Sequence, residues 1–328
     1  MNTLAFSRSS GDSTAREGIK SDGGQANPFI GRELAGKNRY RLKGLLGSGG
    51  TGEVYRAEDE SGSHVAVKIA RESFYRAVFE KEIFVLNLAD SDSVVRMIDD
   101  GHTEEGMRFL VMELLEGRNL GEELQAVKEL PWNRTKSIML QLCEALEPLH
   151  SMGLVHRDLK PDNVMIQPGD IIKLMDFGFT VFAGRQEMNG DAPGTGVCGT
   201  PNYMAPEQMM EDILDQRTDI YAMGVMLYRM VTGVLPFIGN PLAVMTQHLA
   251  MMPTPPSGMV DTLIPEELDM LILRAMAKNP AHRFQSVDEL GEALSRFEAG
   301  YAPTLLLPDA PSISGDAPTL VGKRMSAE

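Results

Sequence analysis

A polar, glycine- and serine-rich opening gives way at Arg39 to a strand-like pattern carried by Tyr40, Leu42, Leu45 and Leu46. Between 53 and 70, Val54 and the run Val65-Ala66-Val67-Lys68-Ile69 predict a second and a third strand. From Phe74 the period changes, and Phe79, Ile83, Leu86 and Leu88 fit a helix face. Phe109-Leu110-Val111-Met112 predicts a short buried strand. Beyond Gly117 helices dominate. Ile138, Leu142, Ala145, Leu146 and Leu149 recur at helical spacing, with His150-Ser151-Met152-Gly153 as a C-terminal stop. Three more helices are predicted over 217–232, 266–278 and 286–298. A small strand-rich part followed by a larger helical part predicts an α+β chain in two lobes.

The flanks read differently. Residues 1–38 hold few large apolar groups and bury too little surface to offset their ordering entropy, so they are expected to be disordered. Residues 300–328 are rich in Pro, Ala and Ser and are expected to form an unstructured tail. Within that tail Ala302-Pro303-Thr304-Leu305 returns as Ala317-Pro318-Thr319-Leu320. The ordered part is therefore bounded at 39–299, with lobes at 39–115 and 116–299.

Composition adds limits. The chain has 328 residues, 43% of them hydrophobic, enough to bury a core without staples. Its formal net charge of −15 opposes binding to nucleic acid or anionic lipid through a general basic surface. Cys143 and Cys198 form no framework and no metal spacing, and suit a reducing cytoplasm. Residues 1–20 lack the apolar core of a leader, and Ile220–Met226 falls far short of the ~20 residues a spanning helix needs. A soluble, cytoplasmic protein is the expectation.

Chemistry enters at five places. Gly47-Ser48-Gly49-Gly50-Thr51-Gly52-Glu53-Val54 lies between two strand patterns, and its glycines offer unobstructed N–H donors to phosphates. A strand, not a helix, follows it, which disfavours a dinucleotide fold. Lys68 closes the apolar run Val65-Ala66-Val67 and is costly to bury without a partner. Glu80 and Glu82 are the candidate partners; Glu82 is preferred because Phe79, Ile83 and Leu86 place it beside the inward stripe.

The strongest motif is His156-Arg157-Asp158-Leu159-Lys160-Pro161-Asp162-Asn163. Asp158 can accept a hydroxyl proton, Lys160 can neutralise phosphate charge, and Asn163 offers an oxygen ligand for Mg²⁺. Asp176-Phe177-Gly178 follows 18 residues after Asp158, and Asp176 offers a hard oxygen to the same ion. Gly199-Thr200-Pro201-Asn202-Tyr203-Met204-Ala205-Pro206-Glu207 is the fifth, preceded by a polar stretch suited to order–disorder switching. Asp219 stands at a helix start, where it is expected to cap free N–H groups. Arg283 is a candidate partner for Glu207.

Together these residues, from about Arg39 to Phe297, resemble the eukaryotic-like (Hanks-type) protein kinases in motif order and spacing. Lys160 and the Gly-Thr-Pro-x-Tyr-x-Ala-Pro-Glu run are similar to the serine/threonine branch, and the compact domain to bacterial members. The resemblance implies a bilobal fold, with a small antiparallel sheet and one helix in the N-lobe and a larger helical C-lobe. It implies ATP with Mg²⁺ (or Mn²⁺) and protein substrates with Ser or Thr acceptors. It makes Lys68, Glu82, Asp158 and Lys160 catalytic and Asn163 and Asp176 metal ligands. Gly47, Ser48, Gly49, Gly50, Thr51 and Gly52 would cover the phosphates, and Lys68 would hold them. Val54, Ala66 and Met165 would sandwich the adenine beside the gatekeeper Met112. The backbones of Glu113 and Leu115 would hydrogen-bond it, and Glu116 would approach the ribose.

His156-Arg157 marks the subclass activated by phosphorylation in the activation loop. Thr195 is the favoured site and Thr180 the second, while Thr200 is read as structural, near Asp158 and Lys160. Autophosphorylation in trans would need a dimer. Thr304 and Thr319 are candidate phosphoacceptors for a phosphothreonine-binding partner. One departure stands out: Lys68 and Glu82 are only 14 residues apart, so the loop before the helix must be short. Two rival readings do worse. A pseudokinase scaffold would lack one of Lys68, Asp158, Asn163 or Asp176, and a small-molecule phosphotransferase would not need Gly199–Glu207.

Overall fold

The computed structural model describes residues 28–49, 51–71, 76–89, 91–184, 200–260 and 264–297. Phe74, Gly50, Thr195, Cys198, Gly199, Thr304 and Thr319 therefore lie outside the described residues.

The first lobe is a six-stranded antiparallel sheet. Its strands are β1 (Glu33–Ala35), β2 (Arg39–Ser48), β3 (Gly52–Asp59), β4 (His64–Ala70), β5 (Met97–His102) and β6 (Arg108–Glu113), in the order β1-β2-β3-β4-β6-β5. Alternation along β4 decides what faces what. Val65, Val67 and Ile69 join Tyr40, Tyr55, Phe109 and Val111 in a core on one face. Ala66 and Lys68 point to the other face, where they meet the interlobe cleft. Helix α1 (Arg76–Leu88) covers part of that second face with Phe79, Ile83 and Leu86. Leu88, placed by sequence on the inward stripe, is instead exposed at 41%.

The expected disordered segment 1–38 needs correcting at its C-terminal end. Leu34 is buried, and β1 pairs with β2 through Leu34 and Tyr40. The carboxylate of Asp99, on distant β5, accepts the N–H of Lys37 (2.7 Å), the N–H of Asn38 (3.2 Å) and the hydroxyl of Tyr40 (2.9 Å). A segment with one large buried apolar residue is ordered by a partner about sixty positions away, which local composition cannot reveal.

The second lobe contains helices α2 (Leu120–Val127), α3 (Trp132–Ser151), α4 (Pro206–Met209), α5 (Gln216–Thr232), α6 (Pro241–Ala250), α7 (Glu266–Ala275) and α8 (Val287–Arg296). Asn119 and Glu122 form a capping box at α2, and Ser286 caps α8. Short strands β7 (Arg118–Asn119), β9 (Val164–Gln167) and β10 (Ile171–Leu174) make a three-stranded sheet. Strands β8 (Leu154–Val155) and β11 (Val181–Phe182) pair separately. One core runs from Phe79 on α1 through Phe177 into Leu142, Tyr221 and Leu271, so the lobes share buried surface. Backbone bonds from Val95 to Leu174 (3.0 Å) and from Leu174 to Ser93 (2.8 Å) tie them together.

The architecture is the α+β, two-lobed arrangement expected from sequence. Helix α7 stops three residues before the predicted 278. Among the described residues, no helix is long and apolar enough to cross a membrane.

Candidate active site

The segment from His156 to Asn163 joins β8 to β9 and ends in a single 3-10 turn, Pro161–Asn163. Its shape is imposed from behind by Asp219. Both carboxylate oxygens are used: one accepts the N–H of His156 (2.8 Å) and sits 2.8 Å from His150 Nε2, and the other accepts the N–H of Arg157 (3.0 Å). Asp219 was expected to cap its own helix. That role belongs to Asp215, which accepts the N–H of Arg217. Asp219 instead fixes the backbone of a segment 62–63 residues away. Burial alone would raise its carboxyl, but His150, His156 and the N–H donors hold it below the usual carboxylate range.

Arg157 is thereby set at φ +69°, a left-handed conformation rare for its residue type, and Gln208 donates to its carbonyl at 2.9 Å. The sequence marked His150 only as part of a helix stop and did not single out Gln208. The available signal for His150 was a polar residue in the last turn of an apolar helix face.

Asp158 is buried with Lys160 and Asn163 around it. Lys160 Nζ lies 2.5 Å from Asp158 Oδ2, and Asn163 Nδ2 donates to the Asp158 carbonyl at 2.8 Å. The N–H of Thr200 reaches Asp158 Oδ1 at 3.3 Å. Thr200 is thus where a structural role predicts it.

Across the cleft, Lys68 and Glu82 meet at 2.5 Å, both almost wholly buried, and Lys68 lies 3.5 Å from Asp176 Oδ1. Glu80, the other candidate, faces outward and pairs bidentately with Arg108 at 2.8 and 2.9 Å. The short spacing between Lys68 and Glu82 therefore does not prevent the pair. Burial opposes the Lys68 charge, yet the Glu82 and Asp176 carboxylates outweigh it and hold its pKa above the ordinary value. Burial likewise opposes ionisation of Asp176, but the ammonium groups of Lys68 and then Lys160 prevail and hold it low.

Asp176 sits at φ +63°. Phe177 is fully buried, with its ring 5.0 Å from that of His156. At Gly178 an added Cβ would come 2.7 Å from Val78 Cγ1 on α1, so that helix can approach only a glycine. The N–H of Met175 donates to the Asn163 carbonyl at 2.9 Å, bringing Asn163 beside Asp176.

These two residues suit a hard divalent cation. The Asn163 nitrogen is committed to Asp158, which leaves its amide oxygen as the acceptor, and Asp176 is ionised. Among the described residues no three or more His, Cys, Asp or Glu side chains form a metal cluster of their own. Mg²⁺ in general takes one or two protein oxygens plus substrate phosphates.

The glycine-rich loop is the tip of the β2–β3 hairpin. Gly49 donates to the Gly52 carbonyl at 2.8 Å, closing the turn. A Cβ at Gly52 would fall 2.4 Å from the Ile69 carbonyl oxygen, so β3 and β4 can lie this close only with glycine there. Ser48 is exposed and Thr51 buried. Gly47 pairs with Val54, and Val54 pairs with Lys68. Val54, Ala66 and Met165 are buried, and Met112 is half-buried directly opposite Ala66. The Glu113 carboxylate is occupied by the N–H of Arg96 (2.7 Å) and by Lys173 (2.8 Å), and its own N–H donates to the Arg96 carbonyl at 3.0 Å. Leu115 is half-buried and Glu116 exposed.

Arg283 and Glu207 form a buried bidentate pair at 2.6 and 2.8 Å, as the sequence suggested. Thr180, the second candidate phosphosite, is buried, and its hydroxyl has no hydrogen-bond partner.

Residues 40–293 match the family described as protein kinase domain. The chain belongs to that family. Among relatives of this kinase domain, a serine/threonine-protein kinase PksC of Streptomyces coelicolor is 37% identical over 313 residues, covering 90% of this chain and 56% of the relative. A serine/threonine-protein kinase pkn3 of Myxococcus xanthus is 36% identical over 273 residues, covering 79% and 50%. A serine/threonine-protein kinase PknB of Mycolicibacterium smegmatis is 35% identical over 290 residues, covering 85% and 45%. The chain spans about half the length of the curated relatives it matches.

Proposed function

We propose that this kinase domain transfers the γ-phosphate of ATP to serine or threonine hydroxyls of proteins. One observation carries the reading: Lys68 and Glu82, both buried, and the half-buried Asp176, from three separate segments, form one ion cluster beside the Asp158, Lys160 and Asn163 set. Such a concentration of charge is costly as mere packing and suits a triphosphate held between the lobes.

In this reading Lys68, fixed by Glu82, holds the α- and β-phosphates. Asn163 and Asp176 hold Mg²⁺ (or Mn²⁺), which when bound neutralises phosphate charge. Asp158 orients the acceptor hydroxyl and takes its proton as the oxygen–phosphorus bond forms and the bond to the β-phosphate oxygen breaks. Lys160 offsets charge on the transferring group. Val54, Ala66 and Met165 enclose the adenine beside Met112, with the backbones of Glu113 and Leu115 as its polar contacts and Glu116 near the ribose. The loop from Gly47 to Gly52 closes over the phosphates. Catalysis is then positioning plus charge neutralisation.

Activation by phosphate on Thr195, in trans between two copies, is the finer part of the proposal. The burial of Thr180 favours Thr195 over it. The tail threonines Thr304 and Thr319, as sites for a phosphothreonine-binding partner, and a cytoplasmic location complete the proposal. The deciding experiment is incubation with labelled ATP, Mg²⁺ and a generic basic protein, with Asp158→Asn alongside. Labelled acceptor from the parent and little from the variant supports the reading. A parent protein that never binds nucleotide removes it.

A further inference from the structure

Helix α6 is an unusual attachment. Of its ten residues only Val244 and His248 are buried, while Leu242 is 73% exposed. Val244 contributes apolar contact; His248 contributes hydrogen bonds. Its Nε2 lies 3.1 Å from the carbonyl oxygen of Asn202, and its Nδ1 lies 2.8 Å from the Tyr221 hydroxyl. A carbonyl only accepts, so Nε2 carries the proton and Nδ1 accepts from Tyr221. Lys278 Nζ donates to the same hydroxyl at 3.2 Å. The groups form a chain of one direction: Lys278 to Tyr221 to His248 to the Asn202 carbonyl. Such chains polarise and strengthen each member. Phe237, with its ring 4.8 Å from that of His248, and the Tyr221 ring wall the imidazole. Burial and the Lys278 charge hold its pKa down, at about 4, which keeps one proton on the ring.

The far end of the chain matters most. Asn202 lies in the 3-10 turn Pro201–Tyr203, and Thr200, at the start of that turn, donates its N–H to Asp158. A group that fixes Asn202 therefore fixes the strip of backbone leaning on the proposed base.

We propose that His248 is a positioning residue for the protein acceptor: through Asn202 it holds residues 200–205 in the shape that presents a hydroxyl to Asp158. This rests on the kinase reading above. It predicts a defect confined to the acceptor side.

The test uses the whole chain with His248→Leu, His248→Gln and Tyr221→Phe. Glutamine offers one donor and one acceptor, so it can replace both imidazole bonds. His248→Leu is expected to raise KM for the protein acceptor roughly tenfold, with KM for ATP changed less than about twofold. Tyr221→Phe, which keeps the packing, is expected to raise acceptor KM about threefold. His248→Gln is expected to restore it. Hydrogen exchange at the Tyr203 and Met204 amides, which close the turn onto Thr200 and Pro201, should quicken in His248→Leu and Tyr221→Phe but not in His248→Gln. Unchanged exchange at those amides, equal rises in both KM values, or no rescue by glutamine overturns the proposal. If the parent phosphorylates nothing, the kinase reading fails, while the exchange measurement still decides the positioning role.

Discussion

Two buried ion pairs, one at the cleft and one in the C-lobe, use similar charges to opposite ends. Arg283 is closed. Its Nε donates to Ala277, and its terminal nitrogens donate to Glu207 twice and to the carbonyls of Arg217 and Lys278. All five guanidinium N–H groups are satisfied. Glu207 also accepts from Thr218, and the Tyr221 ring lies 4.8 Å from the guanidinium carbon. Lys68 is open by contrast. One ammonium faces two carboxylates, Glu82 at 2.5 Å and Asp176 at 3.5 Å. The cleft cluster carries excess negative charge that suits a cation, while the C-lobe pair is balanced and offers a ligand nothing. Satisfaction of donors, not burial, separates the proposed catalytic pair from the structural one.

The comparison can be broken by substitution. Lys68→Met should abolish phosphate incorporation while the protein stays folded, because Glu82, already pushed upward by burial, takes up a proton and relieves the lost charge. Labelled phosphate transfer and thermal unfolding on the same sample would check both halves. Asp158→Asn should slow transfer by on the order of 10²–10⁴, the range for a positioned acid or base, with little change in nucleotide affinity. At the C-lobe the pattern should invert. Glu207→Ala strands a guanidinium that cannot lose its proton, and should cost about 3–5 kcal/mol in denaturant unfolding. A loss there smaller than that of Lys68→Met would refute the contrast.

A milder effect sharpens it. The His248 pKa is held at about 4 in the fold, against an ordinary 6.5. Between those values the unfolded chain binds a proton that the folded one refuses, so stability rises with pH across that window. His248→Leu should flatten the slope by at most about 1.4 kcal/mol per pH unit, readable by urea unfolding across the same range. An unchanged slope would show that the ring is not held neutral.

Much of this was legible in the sequence. The face of β4 that carries Ala66 and Lys68 follows from strict alternation, and the preference for Glu82 over Glu80 follows from its place beside Phe79, Ile83 and Leu86. Arg283 was already a candidate partner for Glu207 in the sequence. What escaped were residues whose role depends on a partner far along the chain. Asp99 orders Lys37 and Asn38 across the N-lobe, so residues near 33–38 looked like a loose end. Asp219 stood at a helix start and read as a cap, yet its partners are His156 and Arg157. His150 read only as part of a helix stop, and His248 carried no motif at all.

By itself the sequence determined the alternation of strands and helices, the order of the five motifs and the residue types that can bind phosphate, metal and a hydroxyl proton. Those are local properties, set by side-chain period and by which atoms donate or accept. Only the tertiary structure decided that Asp176 joins Glu82 at Lys68, which carboxylate grips the backbone of the His156–Asp158 segment, and which histidine reaches Asn202. Each of those outcomes joins groups 46 to 108 residues apart, and closeness in space leaves no trace in sequence spacing.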